Sequence, residues 1–409
     1  EKEGSKRWKN CDSVGFANRY RLKDGENPFR MGTVRQAKAT KRKKTSQASY
    51  QPRFKEAGKY AVYVSYQSLP KSVSDARYIV YHKGEATEFS VNQRMGGGTW
   101  VYLGTFDFDK GCNEFNRVVC TNKASRRGVV TTDAVRFGGG MGNIERGGYT
   151  SGLPRCLEGA RYYAQWAGAP YKVYGGRKGE NDYADDINAR SLMTNWLGGG
   201  SVYMPARKGK HVPIELSLAL HSDAGYNKDG KSTFGALAIC TTDYNDGILN
   251  SGISRFTSKD FARALRDNLV TDLTAQFGEF GKRYLWDRNY SETRLPEVPS
   301  AILEMLSHQN FPDMRIAQDP LGKFYIARSI YKTILRFVNS NHGTRYVVQP
   351  LAPQNFSVTQ NQGVALLSWT AQLDKTEPSA RPTSYIIYKA EGQGGFDNGT
   401  IVNTTRCQM

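Results

Sequence analysis

The stretch Val212 to Gly225, VPIELSLALHSDAG, decides how the middle of this chain is read. In an extended segment Ile214, Leu216, Leu218 and Leu220 fall on one face, and Glu215, Ser217, Ala219 and His221 on the other. The run up to His221 reads as a buried strand, and a serine, an aspartate and a small turn follow it. The imidazole is therefore expected at the C-terminal mouth of a strand, where open α/β sheets bind their ligands.

Working outward, FGALAICTT (Phe234 to Thr242) reads as a second buried strand. Ser258 is placed to cap a helix in which Phe261, Leu265, Leu269 and Leu273 recur every four residues until Gly278 ends it. The apolar strand VPSAILEML (Val298 to Leu306) follows, and then a helix with Ile326, Ile330, Ile334 and Val338 on one face. Upstream, LEGARYYAQWA (Leu157 to Ala167) reads as helical and YKVY (Tyr171 to Tyr174) as extended. Alternation of this kind specifies a mostly parallel sheet covered by helices.

The flanking regions have another texture. KYAVYVSY (Lys59 to Tyr66), ARYIVYH (Ala76 to His82), TWVYLGTFDF (Thr99 to Phe108) and VVTTDAVRF (Val129 to Phe137) alternate aromatic or β-branched residues with polar ones, and Lys83-Gly84 offers a hairpin turn. This is the pattern of a β-sandwich. The glycine-rich GGGMGNIERGG from Gly138 lacks the Lys-Ser/Thr pair of a phosphate loop and reads as a linker. From Pro350 onward, strands bearing Trp369 and Tyr388 between Pro- and Gly-rich joints resemble the opening strands of a fibronectin type III domain. Such sandwiches need roughly 100 residues, so a partial domain is expected here.

The 409 residues exceed what one hydrophobic core organises, and the aromatic content is that of a folded chain. The net charge of +19 is spread along the sequence rather than gathered into one arm, which argues against nucleic acid as the partner. The one dense basic run, Lys38 to Lys44 (KATKRKK), reads first as a solvated loop or edge strand, next as a contact for an anionic envelope polymer, and last as a DNA contact. No apolar stretch is long enough for a transmembrane segment, and the first ten residues lack a signal-peptide core. The six cysteines form no CxxC pair, which argues against a cysteine zinc site. Cys112 and Cys120 are close enough in sequence for a disulfide in an exported protein, or for burial as free thiols.

Glu304 is the second oddity after His221, because it interrupts an apolar strand and an uncompensated buried carboxylate is costly. It needs a metal, a cation or a water; Arg294 and Arg315 are candidate ion-pair partners. Singly, a strand-end histidine is more often a hydrogen-bonded structural residue. Together, an imidazole and a carboxylate pointing into one crevice are parts of a hydrolytic zinc site.

The segments LALHSDAG and PSAILEMLSHQNFPDMRIAQDP resemble the two downstream motifs of the zinc-dependent N-acetylmuramoyl-L-alanine amidases, over about Arg146 to Asn341. The resemblance implies that His221 binds zinc and Glu304 is the catalytic carboxylate, cleaving the amide between peptidoglycan glycan and stem peptide. Asp223 is a candidate for orienting the histidine. Two departures stand out: the family's Leu-Gly-Phe after its glutamate is Met305-Leu306-Ser307 here, and its first metal histidine and metal-binding glutamate have no match between Glu1 and Gly200. Further zinc ligands are therefore expected upstream of residue 1, the alternative being a scaffold that has lost the site.

VNQRMGGGTWVYLGTFDFDKG with TTDAVRFGGG resembles the golvesin C-terminal, or xanthan-lyase carbohydrate-binding-like, domain over Cys11 to Gly139. That resemblance implies glycan binding; where exposed, Trp100, Tyr102 and Tyr66 would stack on sugar rings, and core packing is the expected fate of at least half of them. The architecture expected is multidomain: a β-sandwich over 11–139, an α/β domain with a mostly parallel sheet over 140–345, and a partial fibronectin type III sandwich over 350–409. The partner implied is peptidoglycan or another envelope glycan. The location implied is that of an exported bacterial protein: periplasm, outer-membrane surface or secreted. The alternative function is a non-catalytic envelope or surface protein that binds glycan through a degenerate amidase fold.

Overall fold

The computed structural model describes residues 2–3, 7–42, 45–138, 144–146, 149–150, 157–390, 392, 397 and 399–409. The chain forms two compact units, one of Glu1–Ile214 with Asn250–Gly252 and Leu295–Val298, the other of Glu215–Leu249, Ile253–Arg294 and Pro299–Met409.

The first unit is built on antiparallel sheets. A five-stranded sheet runs in the order Lys2–Glu3, Gln47–Tyr50, Arg117–Thr121, Ala76–His82, Glu85–Val91. Two three-stranded sheets accompany it: Val129–Thr132, Gly32–Lys38, Lys9–Gly15, and Val135–Phe137, Gly58–Val64, Val101–Phe108. Three of the four alternating segments marked in the sequence each supply one of these strands and Val129 to Phe137 supplies two, because period-two patterning puts large apolar residues on a single face. Val62, Val64, Tyr78, Val80, Phe108, Val118 and Val130 meet in one core. The expected hairpin turns on Lys83 and Gly84, whose φ values of 44° and 83° suit the two-residue turn that twists with its strands.

The same unit carries the helices Ala160–Trp166, Tyr171–Tyr174 and Asp182–Gly198. The second of these corrects the extended reading of YKVY. Pro170 precedes it with extended backbone, and Val173 and Tyr174 are buried; four residues hold too little periodicity to tell a strand from a helical turn. Most of the glycine-rich linker segment, together with Lys43, Lys44 and Cys156, lies outside the described residues.

In the second unit we label β1 Ser217–Asp223, β2 Ala236–Cys240, α1 Phe256–Phe277, β3 Lys282–Asp287, α2 Ser291–Arg294, β4 Ser300–Ser307, α3 Phe311–Gln318 and α4 Pro320–His342. The sheet order is β1-β4-β2-β3. The β1–β4 and β2–β3 pairs are parallel and β4–β2 is antiparallel, so the sheet is mixed. Phe261, Leu265, Leu269 and Leu273 of α1 and Ile326 and Ile330 of α4 pack on Ala236, Ala238, Ala301 and Leu303. Gly278, at φ 89°, ends α1.

Two sequence expectations change here. Ser258 is not the cap of α1 but lies buried in its first turn, where its Oγ accepts the amide of Ser300 at 3.1 Å. β1 starts at Ser217 rather than Val212 and forms an edge of the sheet, with none of its residues fully buried. Pro213 has no amide to donate to a ladder, and a period-two pattern does not say whether a strand is central or at an edge.

Along α4, Arg328, Lys332 and Arg336 form one stripe. Arg328 Nε meets Asp374 at 2.7 Å, Lys332 Nζ meets Asp272 at 2.9 Å, and Arg336 pairs with Glu377. The C-terminal strands Gln354–Asn361, Val364–Thr370 and Arg406–Gln408 form one antiparallel sheet, and Tyr385–Ile387 pairs with Thr400–Val402. Trp369 is buried against Phe356 and Tyr385. Tyr388 lies one residue past its expected strand and is exposed. Among the described residues no helix is long and apolar enough to cross a membrane. Cys112 is exposed, Cys120 is buried in its strand, and both are free thiols.

Candidate active site

Adjacent parallel strands β1 and β4 are in a register that sets His221 directly opposite Glu304, with Ala219 opposite Ile302 one step earlier. Both site residues share a sheet face with Ala219, Ile302, Leu237 and Ile239, the face opposite α1 and α4. His221 Nδ1 lies 3.6 Å from Glu304 Oε1. The strand-mouth reading therefore brings the two named residues together.

A third group, which the sequence did not single out, completes the cluster. Glu292, in the single turn α2, places Oε2 3.0 Å from His221 Nε2. That turn is fixed from beneath. Arg255, fully buried, donates from Nη1 to the Thr293 carbonyl at 3.3 Å and from Nη2 to the Arg294 carbonyl at 2.9 Å. The Ser300 hydroxyl donates to the same Thr293 carbonyl at 3.0 Å, and the Thr293 and Thr241 hydroxyls share a hydrogen bond of 2.7 Å.

Each carboxylate side chain is 13% exposed and the imidazole 33%. Hydrogen bonds to Glu292 and then Glu304 outweigh the opposing effect of burial and push His221 up to about 9. Metal-free, the histidine is held as an imidazolium between two carboxylates. Glu304 Oε2 is buried without a hydrogen-bond partner, and a buried carboxylate oxygen of this kind calls for a cation or a water. An imidazole is a ligand type that zinc takes, and here both of its nitrogens face carboxylates. No group of three His, Cys, Asp or Glu side chains arranged to hold a metal is present among the described residues.

Asp223 does not touch His221. Its Oδ2 accepts from Arg283 Nη1 at 2.7 Å, and Arg283 lies 3.9 Å over the Phe234 ring. The carboxylate on the histidine is Glu292 instead. Neither Arg294, which donates to Asn289, nor Arg315 is recorded as an ion-pair partner of Glu304. The other four histidines find partners: His308 Nδ1 meets Ser222 Oγ at 3.1 Å, His211 meets the Gly200 carbonyl, His82 meets Thr87, and His342 meets Glu215.

The crevice beyond β1 and β4 is braced by Asp313, another residue missed in the sequence. Fully buried, it accepts from the amides of Phe234, Gly235 and Ser307 at 2.8, 3.1 and 2.8 Å and from Asn310 Nδ2 at 3.2 Å. It thereby ties the entry to β2, the end of β4 and the first turn of α3 together.

In the sandwich, Trp100 and Tyr66 are buried, the core fate expected for at least half of the three rings. Trp100 packs edge-on against Phe16 and Phe29 in a core with Trp166. The Tyr66 hydroxyl donates to the Met95 carbonyl at 2.7 Å, and burial holds its phenol well above the usual range. Tyr102 is exposed, with its hydroxyl against Thr105. A large ring fits a core as readily as a sugar platform, and local sequence does not separate the two uses.

Residues 23–139 match the family model of the Golvesin C-terminal domain. A xanthan lyase of Bacillus sp. (strain GL1) is 33% identical over 97 residues, 23% of this chain and 10% of that protein. The chain thus spans about a tenth of the length of that relative. Among solved structures, the Paenibacillus xanthan lyase overlaps 32% of this chain and 11% of its own at 22% identity and a TM-score of 0.25. The N-acetylmuramoyl-L-alanine amidase from Clostridium difficile 630 overlaps 41% of this chain and 79% of its own at 14% identity and a TM-score of 0.27.

Proposed function

We propose that this chain belongs to a zinc-dependent cell-wall hydrolase of the N-acetylmuramoyl-L-alanine amidase type, cleaving the amide between peptidoglycan glycan and stem peptide. The observation that carries the reading is the register pairing of His221 with Glu304, which sets an imidazole and a partly desolvated carboxylate 3.6 Å apart at the end of two parallel strands. The proposed extents are 11–139 for a golvesin-like glycan-binding sandwich, with Tyr102 as its exposed ring, 140–345 for the amidase-like region, and 350–409 for a partial fibronectin type III spacer. The cellular setting is that of an exported bacterial protein.

In this proposal His221 contributes one ligand through Nδ1, while Glu292 receives the Nε2 proton and fixes the ring, as carboxylates commonly do for metal-binding histidines. When bound, zinc would supply Lewis acidity and a water of lowered pKa. Glu304 takes the proton of the attacking water and returns it to the leaving amine nitrogen, general acid–base work worth about 10²- to 10⁴-fold. Asp313 fixes the end of the strand that carries Glu304, through the Ser307 amide.

A second reading, a non-catalytic glycan-binding envelope protein, is favoured by one observation: both ring nitrogens of His221 already meet carboxylates. Zinc titration of the protein, followed by exposure to purified sacculi, separates the two. Stoichiometric binding with release of stem peptide supports the hydrolase; no binding and no release supports the scaffold.

A further inference from the structure

The sandwich holds a charged cleft of about 550 Å³ lined by Lys41, Asp75, Arg77, Glu88, Phe89 and Lys123, within the size range of ligand sites. Its position explains a motif that the hydrolase reading leaves unused. Lys41 belongs to the one dense basic run of the sequence, and its neighbour Thr40 is pinned beside the loop 122–125. The Thr40 amide donates to the Asn122 carbonyl at 2.8 Å, and the Ala124 amide to the Thr40 carbonyl at 3.1 Å. Asp75 forms the opposite wall, its Oδ2 accepting the Ser125 amide at 2.6 Å while Oδ1 is buried without a partner. The floor is the hairpin Ala76–His82/Glu85–Val91, across which Arg77 pairs with Glu88. Arg77 Nε is likewise buried without a partner, whereas Lys41 and Lys123 enter no ion pair recorded among the described residues.

We propose that this cleft binds an acidic saccharide unit of a surface polymer. Lys41 and Lys123 take the sugar's carboxylate, Asp75 and the Arg77–Glu88 pair take its hydroxyls, and the Phe89 ring faces its apolar side. Carboxylates beside cations are the decisive feature. They accept hydrogen bonds from hydroxyls, which a phosphate backbone cannot donate, so the cleft suits a polyhydroxylated anion better than nucleic acid. The proposal rests on the glycan-binding reading of the sandwich and is independent of the hydrolase reading.

The test is titration calorimetry of the whole chain with trigalacturonate, at several salt concentrations, for wild type, Lys41→Ala/Lys123→Ala, and the control Lys55→Ala/Lys110→Ala, which removes equal charge elsewhere. The expected result is binding weakened about tenfold or more in the cleft variant and little changed in the control. Chitotriose, which carries no carboxylate, should bind at least tenfold more weakly than trigalacturonate. Asp75→Asn, made at an oxygen that already accepts the Ser125 amide, provides a second variant and should also weaken binding. The proposal is overturned if wild type does not bind trigalacturonate, if cleft and control variants lose affinity equally, or if an oligonucleotide of equal charge competes as well as the sugar. Glu304→Gln should bind as wild type does, so failure of this site and failure of the hydrolase are told apart.

Discussion

Replacing Glu292 by glutamine keeps the shape of the side chain on His221 Nε2 while removing its charge. In the native cluster the imidazole is raised from 6.5 to about 9, first by Glu292 and then by Glu304. Taken whole, that difference corresponds to roughly 3 kcal/mol. A third of the imidazole is open to solvent, so screening reduces the contribution to about 1–2 kcal/mol. The sign follows from linkage: a raised base is stabilising in full below pH 6.5, and the contribution is lost as pH rises from there through about 9. The assay is a ¹⁵N-resolved NMR titration of the imidazoles in metal-free protein. His221 should still be protonated at pH 8 in wild type and should titrate about one pH unit lower, or more, in Glu292→Gln. A wild-type His221 that titrates near 6.5, or one unmoved by the substitution, would refute the two-carboxylate clamp.

Other expectations concern the frame around the site. Lys332→Met strands Asp272 in a buried setting and should cost about 3–5 kcal/mol, read as a lower thermal midpoint; adding Asp272→Leu should recover much of it. Asp313→Ala removes the acceptor of four hydrogen bonds, so the amides of Phe234, Gly235 and Ser307 should lose protection in hydrogen exchange while those of α1 keep theirs. Trp100→Ala should destabilise the sandwich by about 3–5 kcal/mol, whereas Tyr102→Ala, at an exposed ring, should leave the melting temperature within a degree or two and act on glycan binding alone.

The sandwich was legible because several of its strands, such as Gly58–Val64, Ala76–His82 and Val101–Phe108, lie in alternating runs, whereas short or polar strands such as Lys2–Glu3 and Lys9–Gly15 carry no such signal. His221 and Glu304 were legible for the opposite reason, since each breaks an apolar pattern at a sheet end. Glu292 was not, because Ser291–Arg294 is a polar four-residue turn with no period and its carboxylate acquires meaning only through the fold. Arg255 and Asp313 were hidden in the same way: charged side chains in ordinary helical contexts, buried because backbone carbonyls and amides come to meet them. The edge position of β1 was equally invisible, since Leu216 to Leu220 read alike in a central and an outer strand.

The most direct test of the account is the rate at which zinc-loaded protein frees L-alanine amino groups from purified sacculi, compared with the same preparation carrying Glu304→Gln. Measurable release that falls about a hundredfold or more in the variant, with zinc content unchanged, is the expected result. Equal rates in the two proteins, or no release by the native one, would mean that the imidazole and carboxylate facing each other across β1 and β4 do no hydrolytic chemistry.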